Sequence, residues 1–163
     1  MPTPEDLRQR LIRNFHDGPL ERLERPPRYD TQSRSLTDGT AARKLGATFD
    51  IVAPGKQSCP YHLHHAQEEM FVILQGEGTL RVAGELLPVR AGDVISIPPG
   101  PEYPHHLLNT SDAPLHYLSI GTQTWPDVCE YPDSGKVSAM PGPSGWRLRQ
   151  RLENTLDYWD GEP

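Results

Sequence analysis

The sequence predicts an all-β protein, a jelly-roll barrel with one short N-terminal helix and irregular tails. The chain of 163 residues contains 14 glycines and 18 prolines, a composition that suits many short strands joined by tight turns. The longest purely apolar run, Met70 to Leu74, has the length of a strand and is far too short to span a bilayer. No internal repeat or second core is visible, so we expect one closed β-domain with additional segments at its two ends.

The first predicted element is an amphipathic helix over residues 3–15. Thr3 is placed to cap it, Pro4 takes the first-turn position where proline is tolerated, and Asp6 lies near the positive helix end. Apolar residues then recur at helical spacing: Leu7, Leu11, Ile12 and Phe15. Residues 16–45 are polar and turn-rich, and predict an arm that packs either over its own barrel or over a partner's.

Short β segments punctuated by glycine and proline follow the arm, and Ala83-Gly84 favours a hairpin turn between two of them. Beyond Thr122 this regularity fades, and an apolar stripe indicates only a brief terminal helix: Leu152, Leu156 and Trp159. We therefore expect an arm over 1–45, a barrel core over 46–121, and a C-terminal extension over 122–163 that packs on the barrel. The predicted strands are 46–52, 60–64, 69–75, 79–83, 85–90, 93–97, 105–109 and 114–120.

Composition excludes several classes of function. The formal net charge is −6, without a basic run, which argues against a nucleic-acid partner. The N-terminus lacks the basic and apolar regions of a signal peptide, and no apolar run is long enough for a membrane helix. Two cysteines, Cys59 and Cys129, are too few for a disulfide scaffold and too far apart for a C-x-x-C metal site. We expect a cytoplasmic protein.

Four residues suggest a metal site. His62 and His64 are one residue apart, so they point to the same face of a strand. Glu69 follows closely and His105 comes later, completing a set of three imidazoles and one carboxylate. This set suits one divalent transition metal such as Zn, Mn, Fe or Ni better than Ca or Mg. Four protein ligands leave coordination positions open, as in catalytic sites.

These residues lie in two segments that resemble the two motifs of the cupin superfamily over residues 45–121. The segments are His62-x-His64-x4-Glu69-x6-Gly76, and Gly92-x5-Pro98-x-Gly100 followed by His105-x3-Asn109. The resemblance implies a cupin-type double-stranded β-helix in which His62, His64, Glu69 and His105 bind one metal. Four residues separate the Pro-x-Gly turn from His105 where the family has two, so His106 is an alternative to His105. Glu68 is likewise an alternative to Glu69.

Strand alternation also predicts residues that contact a small-molecule ligand. Phe71 and Gln75 share the inward parity of Glu69, and Asn109 shares that of His105. Tyr103 is expected near the mouth, either as a proton donor or as an exposed aromatic residue. No catalytic residue can be assigned from the sequence.

The closer resemblance is to small bacterial single-domain cupins regarded as candidate sugar-phosphate isomerases. It rests on the His-x-His-His-x2-Glu-Glu-Met-Phe run, on Val89–Val94 and on Glu130–Lys136. It implies a metal-dependent enzyme that acts on a small polar metabolite, with isomerase or epimerase chemistry ahead of oxygenase or lyase chemistry. The alternatives are a metal- or ligand-binding sensory module without turnover and a metal-dependent dioxygenase. The resemblance also implies a homodimer.

Overall fold

The computed structural model describes all 163 residues and contains one α-helix and thirteen strands. The helix α1 spans Pro4–Leu11, and a 3-10 turn spans Leu152–Asn154. The strands are β1 (Glu21–Arg25), β2 (Tyr29–Ser35), β3 (Leu45–Val52), β4 (Leu63–His64), β5 (Glu69–Gln75), β6 (Glu77–Val82), β7 (Glu85–Arg90), β8 (Val94–Ile97), β9 (His105–Leu108), β10 (Leu115–Thr122), β11 (Asp127–Tyr131), β12 (Lys136–Met140) and β13 (Leu148–Arg151).

The strands form three antiparallel sheets. The largest has the order β1-β2-β3-β10-β5-β8, the second β7-β6-β9, and the third β13-β12-β11-β4. The apolar core lies between the first two sheets, because its members come from strands of both: Val52, Phe71, Ile73, Leu80, Val89, Ile97, Leu107, Leu115 and Tyr117. The predicted all-β cupin-type fold with a short N-terminal helix is therefore confirmed.

The predicted strands of the core occur close to their expected positions, with one reduction. Only Leu63 and His64 of the predicted 60–64 segment form a strand. The predicted hairpin turn is present at Ala83-Gly84, where φ is 50° and 84°. Positive φ at both central residues is the signature of a type I′ turn, whose twist matches that of the flanking strands.

The helix is shorter than the periodicity predicts. The capping box of Thr3 and Asp6 starts it as expected, but the backbone is already extended at Ile12, with φ −121° and ψ 130°. Phe15 therefore lies beyond the helix, and its ring packs at 5.2 Å from that of Phe49 on the outer face of the large sheet. Helical spacing of the apolar residues was thus misleading over the last turn.

The two tails contain more strand than the sequence indicates. Part of the arm forms β1 and β2, which extend the large sheet along β3. The expected terminal helix is reduced to the 3-10 turn at Leu152–Asn154, and the residues of its apolar stripe are all exposed: Leu152, Leu156 and Trp159. The chain between Thr122 and this turn instead contains β11, β12 and β13. The inward positions of β11 are Asp127 and Cys129, and a buried carboxylate breaks the apolar alternation by which a strand is recognised.

Gly78 is required by the close approach of β6 to β9. A Cβ atom there would lie 2.5 Å from the Leu108 carbonyl oxygen, which is backbone and cannot rotate away. We expect Gly78→Ala to lower the free energy of unfolding by about 2 kcal/mol because the two strands must separate. Urea denaturation followed by circular dichroism measures the loss. Gly121→Ala is the control, since its nearest neighbours would be 3.6 Å and 3.8 Å away; an equal loss in both variants would contradict this explanation.

Candidate metal centre

The four predicted ligands come together at one end of the space between the sheets. His62 and His105 are opposed in an antiparallel bridge, with backbone hydrogen bonds of 3.1 Å and 2.7 Å in the two directions. His64 follows two residues later, on β4, and Glu69 opens β5. Side chains of opposed residues in an antiparallel bridge lie on the same face, which brings the two rings to a centroid distance of 4.9 Å.

One oxygen of Glu69 is the point on which the three imidazoles converge. Its Oε2 atom lies 3.0 Å from His105 Nε2, 3.7 Å from His64 Nε2 and 3.9 Å from His62 Nε2. Glu69 Oε2 and His105 Nε2 are both buried, yet neither has a hydrogen-bond partner of acceptable geometry. Buried polar atoms without partners are costly, so their convergence indicates a place for a group that bonds to all of them.

Each imidazole is oriented through its other nitrogen, Nδ1. A backbone carbonyl oxygen can only accept a hydrogen bond, so a ring that bonds to one carries its proton on Nδ1 and presents a lone pair at Nε2. This outer contact is typical of metal-bound histidines. The Nδ1 distances are 2.9 Å from His62 to the Pro60 carbonyl oxygen, 2.6 Å from His64 to Asp127 Oδ2, and 3.0 Å from His105 to the Tyr103 carbonyl oxygen.

The donor set therefore fits a divalent transition metal. Three imidazole nitrogens and one carboxylate oxygen are borderline ligands that suit Zn, Mn, Fe or Ni. The centre lies in a cavity of about 250 Å³. Three of the four predicted ligands, His62, Glu69 and His105, line this cavity, and the other lining residues are Thr48, Asp50, Ser58, Cys59, Phe71, His106, Leu107, Tyr117 and Ser119.

The electrostatics of the centre are set by Glu69 and His64. Burial raises the pKa of Glu69, but the close approach of His105, at 3.0 Å, and the nearby charge of the histidines outweigh it, and the net pKa is lowered. Burial lowers the pKa of His64, but Asp127, Cys129 and Glu69 outweigh it and raise the pKa to about 9. Near neutral pH and without a metal, His64 is therefore protonated, and its charge compensates the two carboxylates.

Asp127 is the site residue that sequence reasoning missed. Its side chain is fully buried, and it accepts hydrogen bonds from His64 and from the backbone nitrogen of Ala66 at 3.0 Å. The thiol of Cys129 lies 3.4 Å from the same carboxylate. Ligand atoms of His62, Glu69 and His105 lie within 4.8 Å of one another, and those of His64, Asp127 and Cys129 form a second such group, so His64 is the one predicted ligand that can also serve another candidate site. The sequence did contain a signal for Asp127: it lies two residues before Cys129, so both side chains point to the same face of a strand. This pair lies outside the region of the two motifs.

The alternatives to the predicted ligands do not take part in the convergence on Glu69 Oε2, although His106 also lines the cavity. The ring of His106 packs against Tyr61, and its Nδ1 donates to the Cys59 carbonyl oxygen at 2.9 Å. Glu68 is exposed. His65 is also exposed and lies 2.6 Å from Glu130.

Of the four residues predicted to contact a ligand, Phe71 lines the cavity and three do not. Gln75 is exposed, because a bulge leaves Leu74 without a partner on β10 and changes the strand's register. Tyr103 is 44% exposed, and its contribution to the site is the carbonyl oxygen that orients His105. The side chain of Asn109 is buried, and its amide donates to the carbonyl oxygens of Val52 and Ala113, each at 2.8 Å.

Asp50 is a second residue that the sequence analysis did not single out. It lies on β3 and lines the same cavity as Glu69 and His105. Burial raises the pKa of Asp50 to about 6, against the lowering effect of the hydrogen bond from Thr48. Thr48 and Asp50 alternate with the buried Phe49, and polar residues at alternate positions of a strand were the available signal.

Comparison with known proteins identifies the fold family. Residues 48–121 match the sequence model of the family described as Cupin domain. These residues form a cupin domain. The recognition of the cupin superfamily from the two motifs is thereby confirmed.

Solved structures with the same fold extend the likeness beyond the motifs. A protein from Acidithiobacillus ferrooxidans, described as a candidate sugar phosphate isomerase, is 29% identical with a TM-score of 0.72, covering 79% of this chain and 81% of its own. A sugar phosphate isomerase of the cupin superfamily from Silicibacter pomeroyi is 25% identical with a TM-score of 0.71, covering 80% and 82%. Both comparisons include residues outside the barrel core.

Curated relatives match over a shorter stretch. An oxalate-binding protein from Thermotoga maritima is 33% identical over 67 residues, which are 41% of this chain and 54% of the relative. The chain spans 58% and 54% of the lengths of the curated relatives that it matches. In the structure, none of the helices has the length and apolar character that crossing a membrane requires.

The raised pKa of His64 makes metal binding depend on pH. Binding requires His64 to release a proton, so the apparent affinity should fall about tenfold for each pH unit below 9. Competition against a chelator of known affinity at pH 7, 8 and 9 measures this slope. An affinity that does not change over this range would contradict the placement of His64 among the ligands.

Asp127→Asn tests the orienting contact itself. We expect the metal affinity to fall about 10- to 100-fold, because the carboxylate no longer fixes the ring of His64 or increases its basicity. The dependence on pH between 7 and 9 should flatten in the same variant. The matched control is Glu130→Gln, which removes the equivalent carboxylate beside His65 outside the centre. Equal effects in the two variants would contradict a specific role for Asp127.

Proposed function

We propose that His62, His64, Glu69 and His105 bind one divalent transition metal, and that the loaded centre isomerises or epimerises a small polar carbonyl compound such as a sugar. The observation that carries this proposal is the convergence of three Nε2 atoms on Glu69 Oε2, with two buried atoms left without partners. When bound, the metal would supply Lewis acidity that polarises a carbonyl or hydroxyl oxygen of the substrate.

The protein's own residues have separate parts in this proposal. The four ligands hold the centre at one end of a cavity of about 250 Å³, a volume below the roughly 300–1,000 Å³ of pockets for drug-sized ligands. Phe71 contributes an apolar wall beside His105, at a ring distance of 5.5 Å. The polar side chains of β3 and β10 face the same space and can accept and donate hydrogen bonds to hydroxyl groups.

The solved structures support this chemistry over other cupin activities. The two structures compared above carry sugar phosphate isomerase descriptions and match about four-fifths of the chain, at 29% and 25% identity. A fold alone does not determine chemistry, so this support is added to the geometry of the centre and does not replace it.

Binding without turnover is the second candidate function. It is favoured by the likeness to the oxalate-binding protein and by the use of Glu69 as a ligand, which removes one carboxylate from acid–base work. Dioxygenase chemistry requires a redox-active metal, so it becomes the alternative only if iron, manganese or nickel is bound. The homodimer, the cytoplasmic location, the absence of a nucleic-acid partner and the division at residues 45 and 121 stay predictions.

Elemental analysis of untagged protein, purified without chelators or added metal, tests the proposal. We expect about one equivalent of a transition metal per chain in the natural protein and almost none in His64→Ala, which should also melt at a lower temperature because ligand binding stabilises the native state. His65→Ala is the matched control, since this neighbouring histidine is exposed and faces Glu130. Equal metal loss in both variants would contradict the ligand set.

Turnover is then measured on the same preparations. We expect the metal-loaded protein to interconvert an aldose and its ketose, detected by proton NMR, and His64→Ala to lose this activity. Stoichiometric metal without any interconversion would favour the binding function.

A further inference from the structure

The lining of the cavity outside the metal ligands is rich in polar side chains but contains no lysine or arginine. Its hydroxyl groups come from Thr48, Ser58, Tyr117 and Ser119, and its one carboxylate is Asp50. Neither lysine nor arginine lines the cavity. With a divalent metal bound, the carboxylates of Glu69 and Asp50 would already balance its charge, so a phosphate monoester that entered would find no further cation among the lining side chains.

From this lining we infer the substrate class of the centre: an uncharged polyhydroxy compound, with Asp50 as the residue that accepts hydrogen bonds from its hydroxyls and excludes phosphorylated analogues. The inference rests on the proposed function, because it places the substrate in the same cavity. It differs from the sugar phosphates after which the structural neighbours are named.

The position of Asp50 follows from the sheet. Asp50 is paired with Tyr117 of β10, and Thr48 with Ser119 of the same strand. The intervening Phe49 packs on the outer face, against Phe15 at 5.2 Å. Alternation therefore directs the four polar side chains of these two strands toward the cavity.

The carboxylate of Asp50 forms no ion pair within the protein. Its carboxylate accepts a hydrogen bond from the Thr48 hydroxyl, and it makes no salt bridge. With a pKa of about 6, caused by burial, it is mostly ionised at pH 7.5. Asp50 is half-buried, and a carboxylate that is partly withdrawn from water without a cation is costly; such groups are concentrated at functional sites.

None of the other titratable residues that line the cavity, apart from the metal ligands, supplies a negative charge near pH 7. They are Cys59, His62, Glu69, His105, His106 and Tyr117. Burial raises the pKa of the Cys59 thiol to about 12 and that of Tyr117 well above its ordinary value, so both are neutral. Burial also lowers the pKa of His106, which is therefore neutral near pH 7.

Three lysine and arginine side chains line a neighbouring pocket instead. Arg28, Arg81 and Lys136 border a space that shares only His106 with the metal cavity. Arg81 is committed to Asp133 by two hydrogen bonds, of 2.6 Å and 2.9 Å. A phosphate group attached to a substrate in the metal cavity would thus find no arginine or lysine among its lining residues.

The test compares D-fructose with D-fructose 6-phosphate on the zinc-loaded protein at pH 7.5, with dissociation constants measured by NMR titration. We expect the natural protein to bind fructose more tightly. In Asp50→Asn, which keeps the hydrogen bond from Thr48, the ratio of the two dissociation constants should shift by more than tenfold toward the phosphate ester, as expected when one charge is removed about 10 Å from a doubly charged phosphate at an effective dielectric constant near 20.

Three further variants make the result specific. Asp50→Glu keeps the negative charge and should keep the preference for fructose. Ser119→Ala removes a neutral hydroxyl of the same lining and should weaken both sugars by similar factors. Asp112→Asn removes an exposed carboxylate outside the cavity and should change neither constant.

Each other outcome overturns the inference. Tighter binding of fructose 6-phosphate by the natural protein, or an unchanged ratio in Asp50→Asn, would reject this substrate class while leaving the metal centre and its proposed chemistry in place. Binding of neither sugar by protein that contains stoichiometric zinc would reject it as well. Absence of zinc after loading would instead reject the proposed function on which it rests.

Discussion

The meeting of three imidazoles at one buried carboxylate is the interaction on which the rest of this structure depends. Glu69 cannot be buried as an isolated charge, because desolvation of a carboxylate costs several kcal/mol unless it is compensated. The protein compensates it with His62, His64 and His105, whose Nε2 atoms all approach Glu69 Oε2. In the absence of a metal, protonated His64 supplies the positive charge. A divalent cation would supply it more completely and would also satisfy the atoms that lack partners.

The orientation of the three rings depends on parts of the chain that lie outside the cupin motifs. The two-residue strand β4 pairs with β11, and this pairing places the carboxylate of Asp127 within 2.6 Å of His64 Nδ1. Tyr131, at the end of β11, stacks on His62 with ring centroids 6.1 Å apart. The C-terminal strands therefore orient two ligands, so their loss should affect the centre even though they supply no ligand.

Sequence reasoning worked where side-chain alternation was regular. It predicted the strands from β3 to β10 and the residues His62, His64, Glu69 and His105, which the structure brings together. It failed at irregularities of the backbone. The bulge at Leu74 turns the side chain of Gln75 outward. In β11 the buried carboxylate of Asp127 interrupts the apolar alternation, so the sequence did not indicate a strand there. Asp50 was overlooked because the sequence does not show that β3 pairs with β10, the pairing that brings Asp50 into the lining of the cavity.

Crystals of the metal-loaded protein, measured at the absorption edge of the metal found by elemental analysis, provide the most direct test. An anomalous difference map should show one strong peak per chain, bonded to the Nε2 atoms of His62, His64 and His105 and to a carboxylate oxygen of Glu69. A peak between His64 Nδ1, Asp127 and Cys129 would place the ion in the other group of candidate ligands. Either that peak or the absence of any peak at full metal loading would contradict the four-ligand centre.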